Sequence, residues 1–221
     1  EGGMARRLTV HLGFEDYPKF SPDGTQIAYT GDYNERTNAL FVIPVEGGEP
    51  VQLTWHMASA QPVTWTRDGS KVVFRSRRES HSRFFKKFFE VPAEGGLPED
   101  IGVGRGSVGT FSPDGKMIAY NRHPERFWWW KRYKGSQNQD VWTYDFETGE
   151  YVRHTEYEGN DSWPMWTEDG IYFVSDREND VRNLYLLEPE NGAVRRLTDY
   201  TDHGVTWPSI SPDGSKIVFE R

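Results

Sequence analysis

The chain has 221 residues, a formal net charge of −8, no cysteine, and aromatic residues at 15% of positions, nine of them Trp. The lack of cysteine excludes disulfides and thiolate catalysis, and the acidic balance argues against nucleic acid as a partner, since phosphates call for a basic surface. No apolar run approaches the ~20 residues of a membrane span, so no membrane partner is expected. A chain of this length buries roughly two-thirds of its unfolded surface. Its aromatics, with 22 Gly and 13 Pro, are the composition of strands and turns.

In chain order, Glu1-Gly2-Gly3 reads as a turn and Arg6-Arg7-Leu8-Thr9 as a closing strand. The Glu-Gly-Gly opening ahead of Met4 suggests a cut from something longer. Ser21-Pro22-Asp23-Gly24 then begins a repeat that returns as Thr66-Arg67-Asp68-Gly69, Ser112-Pro113-Asp114-Gly115, Thr167-Glu168-Asp169-Gly170 and Ser211-Pro212-Asp213-Gly214. The Asp-to-Asp spacings are 45, 46, 55 and 44 residues, and a period near ~45 is one four-stranded propeller blade. Pro presets φ in such a turn, Asp tolerates the bridge region and Gly takes the position where φ is positive. A large apolar residue precedes each turn (Phe20, Trp65, Phe111, Trp166, Ile210) and a β-branched or aromatic run follows it, so each turn joins a hairpin of strands A and B.

A third apolar run makes strand C: Leu40 to Ile43, Phe88 to Val91, Val141 to Tyr144, Leu184 to Leu187. A Gly turn follows, then strand D closing on Leu53-Thr54, Ile101, His154-Thr155 or Leu197-Thr198. No segment holds a helical period, so helix is expected to be negligible. The expectation is a single all-β domain, residues 1–221, forming a propeller of about five four-stranded blades. Their bounds are about 10–54, 55–101, 102–155 and 156–198, with a last blade made of 199–221 plus 1–9 and shared between the termini. That last blade has A, B and D but no C: it is three-stranded, or the parent ring has further blades. An unpaired edge there invites self-association with a second chain.

Catalytic signals are absent, and neither metal nor cofactor is expected. Gly102-Val103-Gly104-Arg105-Gly106-Ser107 has the look of a phosphate loop, but a strand and not a helix follows it. The six His (His11, His56, His81, His123, His154, His203) lack metal-ligand spacing, and no Gly-x-Ser-x-Gly elbow is present. Basic clusters at Arg75 to Lys87 and Arg126 to Lys134 read as solvated loops. Asp16, Asp161, Asp199 and Asp202 fall on D-to-A connections near one mouth of a propeller channel. They either ring the pore and attract peptide N-termini or cations, or each caps its own turn; Asp176-Arg177 similarly reads as a ligand site or an inter-blade salt bridge. The third blade carries an insert, Phe127 to Tyr133. Its Trp128, Trp129 and Trp130 cannot all face inward on a strand. With Arg132 and Tyr133 they form either an interface or peptide patch or a loop folded over its own blade.

The Ser-Pro-Asp-Gly turns, Leu-Thr strand ends and Gly-Gly turns resemble the TolB-type propeller repeat. The series Trp130-Lys131-Arg132-Tyr133-Lys134-Gly135, Asp140-Val141-Trp142, Asn160 to Trp166, Ile171 to Arg177 and Asn183-Leu184-Tyr185 is similar to the N-terminal six-bladed propeller of tricorn-type proteases. The resemblance covers essentially the whole chain. It implies a domain of a large, oligomeric, cytoplasmic serine peptidase that degrades peptides. In that family the propellers are non-catalytic and guide or gate peptides, and the catalytic residues lie in C-terminal domains, so none carries over here. The implied partners are peptides and neighbouring domains or subunits of the larger peptidase. The family's six blades exceed the five turn motifs present. A stand-alone TolB-like propeller that binds proteins is the alternative reading, and an intrinsically enzymatic metal-binding propeller a third.

Overall fold

The computed structural model describes residues 4–33, 38–82, 84–124 and 133–221. All regular structure among them is β. Blade one comprises β1 (Glu15–Phe20), β2 (Gln26–Gly31), β3 (Ala39–Pro44) and β4 (Val51–Gln52); blade two β5 (Ala60–Trp65), β6 (Lys71–Ser76), β7 (Lys87–Pro92) and β8 (Glu99–Arg105). Blade three comprises β9 (Gly109–Phe111), β10 (Met117–Tyr120), β11 (Trp142–Asp145) and β12 (Tyr151–Arg153); blade four β13 (Asp161–Thr167), β14 (Gly170–Ser175), β15 (Asn183–Glu188) and β16 (Ala193–Arg196). Each is an antiparallel sheet in sequence order, and β17 (Thr206–Ile210) with β18 (Ile217–Glu220) makes a two-stranded sheet. Successive blades touch through their first strands, β1 to β5, β5 to β9, β9 to β13 and β13 to β17, which places strand A of every blade innermost.

The turn chemistry expected from the repeat is present. Ser21 Oγ donates to Asp23 Oδ1 at 2.6 Å, the same carboxylate oxygen accepts the Thr25 N–H at 3.0 Å, and Gly24 has φ of 71°. Thr66 with Asp68, Ser112 with Asp114 and Ser211 with Asp213 repeat the hydroxyl-to-carboxylate bond. These bonds hold the carboxyls of Asp23 and Asp114 below the usual range and those of Asp68 and Asp213 at about 2. Blade four departs: β14 starts at Gly170 itself, paired with Thr167, so the hairpin is tighter there. A Cβ at Gly170 would lie 2.5 Å from the Leu187 carbonyl oxygen.

Strands B and C are buried on both faces because blades stack face to face; β2 and β3 are buried along almost their whole length. Ala28, Leu40, Val42 and Leu53 of blade one share a core with Trp65, Val72, Phe74 and Phe89 of blade two. Polar pins cross the seams at one recurring place, the end of strand B. Thr30 Oγ donates to the Ala60 carbonyl at 3.0 Å, and Arg75 Nη1 donates to the carbonyl and hydroxyl of Ser107. Asn121 Nδ2 donates to the Asp161 carbonyl at 2.8 Å while its Oδ1 accepts the Trp163 N–H at 2.9 Å. A buried polar side chain with all its bonds made specifies one packing of blade on blade.

Two expectations are corrected. Among the described residues there are four four-stranded blades and a two-stranded hairpin, which does not bear out about five four-stranded blades. The N-terminal strand D does not join the last blade: residues 4–14 carry no strand, and β17 and β18 pair only with each other. In every complete blade strand D pairs with strand C, and among the described residues no strand C pairs with β18. Instead Leu8 packs on Ile27, Tyr29 and Phe41 of blade one, and an Arg6 guanidinium donates to the Val45 carbonyl. Residues 1–3, expected to form the preceding turn, lie outside the described residues. The second blade also runs past its expected bound of 101, since β8 continues to Arg105 and takes in most of the phosphate-loop look-alike.

Candidate functional site

Strand A borders the channel on one side, so one edge of it needs no ladder partner and proline is tolerated there. The sequence uses this freedom in register: Tyr17-Pro18, Trp163-Pro164 and Trp207-Pro208 each place proline five residues before the turn Asp. At each of the three the A–B pairing shifts, between Asp16 and Lys19, Ser162 and Met165, Thr206 and Ser209. The aromatic residues sit at φ of 57°, 54° and 50°, in the left-handed region. For a bulky side chain that costs on the order of 1–3 kcal/mol, which the surrounding packing must offset. The Trp163 ring lies 5.6 Å from that of Trp207 across the seam between blade four and the hairpin, and the Arg75 guanidinium sits 5.4 Å from the Tyr17 ring centre. Blade three has Gly109 at the proline position, where a Cβ would lie 2.7 Å from the Ala119 carbonyl oxygen.

These bulges and the turns beyond them enclose a cavity of about 510 Å³ at the turn end of the channel. Its wall is proline and aromatic, including Pro18, Phe20, Pro164, Trp166 and Pro208, and its charges are of both signs, with Lys19, Arg67 and Lys216 beside Glu168 and Asp213. Phe20 is 58% exposed while the corresponding Trp65 is 3% exposed. Trp65 packs into the seam with blade one and donates its Nε1–H to the Lys19 carbonyl at 3.0 Å. Phe20 has no preceding blade to pack against among the described residues. An apolar pocket with a few fixed polar groups suits a ligand that brings both apolar surface and backbone hydrogen-bonding groups.

Each of the expected carboxylates is engaged locally. Asp16 Oδ1 accepts the N–H of Tyr17 at 2.8 Å, fixing the first bulge. Asp161 is 0% exposed and pairs with Arg177 at 2.9 Å, so it faces no solvent. Burial pushes its carboxyl up, with Arg177 opposing. The Arg177 guanidinium also sits over the rings of Tyr157, Phe173 and Tyr185, which makes it an internal clamp of blade four. Asp199 pairs with Arg196 at 2.8 Å. Asp202 pairs with Arg221 at 2.9 Å, and bonds from His203 lead the effects that hold its carboxyl at about 2. Trp128, Trp129, Trp130 and Arg132 lie outside the described residues; Tyr133 is half-buried against Gly135. The aromatic–proline bulges are the channel feature that motif reading passed over. Their common distance from the turn Asp was the signal for it.

Radial four-stranded sheets around a channel lined by their first strands define a β-propeller. More narrowly, the chain belongs to the family of tricorn protease N-terminal β-propeller domains, whose family model matches residues 1–221. It is 32% identical over 238 residues to Tricorn protease homolog 1 of Streptomyces coelicolor, covering 99% of this chain and 20% of that protein. It is 28% identical over 223 residues to the Tricorn protease homolog of Saccharolobus solfataricus, with 97% and 20% covered. The chain thus spans about a fifth of the length of these relatives. In fold it is similar to the tricorn protease crystal structure, with a TM-score of 0.80 at 19% identity over 97% of this chain and 21% of that one. It is also similar to a putative TolB from Agrobacterium tumefaciens, with a TM-score of 0.74 at 24% identity over 94% of this chain and 69% of that one.

Proposed function

We propose that this chain is a non-catalytic module of a tricorn-like serine peptidase, in which the propeller holds and guides peptides while other parts of the parent protein cleave them. The observation that carries this reading is the match of the tricorn propeller family over the full chain, joined to a proline- and aromatic-lined channel cavity of about 510 Å³. An extended peptide brings the required combination of apolar side chains and backbone polar groups. Among the described residues the outer edge of β18 has no partner strand, and a second copy would pair there; a dimer mass by light scattering is the expected result, and a monomer at high concentration removes that part.

Fluorescent peptides of mixed sequence test the main reading. Saturable anisotropy with the peptide intact by mass spectrometry is expected. Cleavage by this chain alone would overturn the division of labour, and no binding would remove the channel role. A stand-alone TolB-like protein-binding propeller is the second reading, favoured by the likeness to a putative TolB of which this fold covers 69%. It requires a folded protein partner and no peptide affinity in the channel.

A further inference from the structure

The repeat contains five Asp-Gly steps, at Asp23, Asp68, Asp114, Asp169 and Asp213, and all five aspartates are exposed. The dipeptide and its access to water are therefore alike at each. Asp-Gly is the step at which a main chain rearranges most readily, because no Cβ shields the glycine nitrogen. That nitrogen attacks the aspartate Cγ, its proton and the carboxyl hydroxyl leave as water, and a five-membered succinimide closes. Water then adds at one of the two ring carbonyls and reopens the ring as aspartate or as isoaspartate, whose main chain runs through the side-chain carbon. One water leaves and one returns, so the step needs no cofactor. It does need a carboxyl group free to turn onto the nitrogen.

Four of the five carboxyls are pinned. Asp23 accepts from Ser21 Oγ at 2.6 Å, from the Thr25 N–H at 3.0 Å and from Thr25 Oγ at 2.8 Å. Asp68 is held in the same way by Thr66 and Ser70, and Asp213 by Ser211 and Ser215. Asp114 keeps two of these bonds, from Ser112 Oγ at 2.6 Å and the Lys116 N–H at 3.1 Å. The hydroxyl leads the effects that hold all four carboxyls below the usual range, which also lowers the share of acid from which water can leave.

Blade four lacks the parts for this pin. Six residues separate Phe20 from Ile27, Trp65 from Val72, Phe111 from Ile118 and Ile210 from Ile217, but four separate Trp166 from Ile171. The residue two beyond Asp169 is thus Ile171, which stands in the ladder against Trp166 and Leu187. Thr25, Ser70, Lys116 and Ser215 precede their strands. The Thr167 hydroxyl is also used differently: its Oγ accepts the Asp169 N–H at 3.2 Å and donates to the Gly170 carbonyl at 3.4 Å. Among the described residues the Asp169 carboxylate accepts one bond, from the Tyr172 hydroxyl at 3.3 Å. A cavity of about 430 Å³, lined by blades three and four, lies beside it and leaves the group room to turn. The attacking nitrogens are held in every turn. Gly24, Gly69, Gly115 and Gly214 donate to the first carbonyl of theirs, and Gly170 is paired with Thr167 at the hairpin tip.

We propose that Asp169 is the isomerisation site of this chain, the one Asp-Gly step of the five that passes through a succinimide to isoaspartate while the protein is folded. The product carries an extra main-chain carbon at the tip of the β13–β14 hairpin, in a turn whose Glu168 lines the channel cavity. This site does not rest on the peptidase reading.

The intact, folded chain is incubated in heavy-oxygen water at mildly acidic pH, and each Asp-Gly peptide is weighed by mass spectrometry after digestion in ordinary water. Each passage through the succinimide leaves one heavy oxygen behind. Asp169 should take up label about tenfold faster than each of the other four, the effect of one charge-assisted hydrogen bond. In concentrated guanidinium chloride the five should label alike. Ser112→Ala removes one of the two bonds on Asp114 and should raise uptake there about tenfold. Uptake at Asp23 and Asp213 should stay as it was, which a generally loosened chain would not show. Label that is spread evenly in the folded chain, led by another aspartate, or absent overturns the proposal. So does the same lead for Asp169 in denaturant, because the fold then has no part in it, or Asp114 uptake that Ser112→Ala leaves unchanged.

Discussion

His154 lies half-buried with its Nε2 2.9 Å from Thr143 Oγ, and burial pushes its imidazole below the ordinary value. His123 is lowered the same way, by burial and then by Arg105 and Arg122. A base whose folded pKa is depressed binds its proton more readily when unfolded. The stability it allows is therefore complete above about 6.5 and falls as pH drops below that value. Asp140 runs the other way: burial raises its carboxyl to about 6, so its proton favours the folded state as pH falls through that value. The melting temperature of His154→Gln should drop less between pH 7.5 and pH 5.5 than that of the parent chain, because the Asp140 effect is common to both. Equal drops would mean that His154 does not titrate in the unfolding reaction. None of this was legible in the sequence, where the six His show only that they lack metal-ligand spacing. Depth of burial depends on which blade packs against which, and no local motif reports it.

Among the elements, strands A, B and C were readable because apolar runs and Asp-Gly turns repeat in register, and both signals are local. Strand D was readable as a motif, but its chemistry was not. The Leu-Thr ending marks a hydroxyl that accepts an N–H at the start of strand C, and no described strand offers one to Thr9. That is why residues 6–9 were expected in the last blade and are found as a segment against blade one. Thr198→Val tests the threonine that closes strand D of blade four. It keeps the side-chain shape but leaves the Leu184 N–H without its acceptor, while Asn183 Oδ1 keeps the Tyr200 N–H, and such a loss costs about 1–3 kcal/mol. A measured loss below about 0.5 kcal/mol would show that the hydroxyl is replaceable there. The channel bulges were legible in principle, since proline five residues before the turn Asp recurs at 18, 164 and 208. Proline in a strand interior reads as a strand breaker until one edge of that strand is known to face a channel.

At the scale of the whole molecule, Phe20 of blade one, 58% exposed, and Val218 on the outer side of the hairpin, 71% exposed, stay open, while the Ile27–Phe41 face of blade one is buried with Leu8 packed against it. The inner side of the hairpin, with Ile210, Ile217 and Phe219, packs on blade four. The four blades hold their seams through buried apolar residues and the pins at Thr30, Arg75 and Asn121, so the channel wall is rigid where those seams are complete. Catalytic residues were absent from the motif reading, and family membership assigns this chain to the propeller part of a peptidase family. The role of the propeller therefore turns on where a peptide sits. Photo-crosslinking with a benzophenone-bearing peptide, mapped by mass spectrometry, decides it. Adducts at Phe20, Trp166 and Pro208 on the channel wall, with the peptide uncut, are the predicted result. Adducts confined to outer strands such as Tyr151–Arg153, or a cleaved peptide, would contradict a non-catalytic channel module.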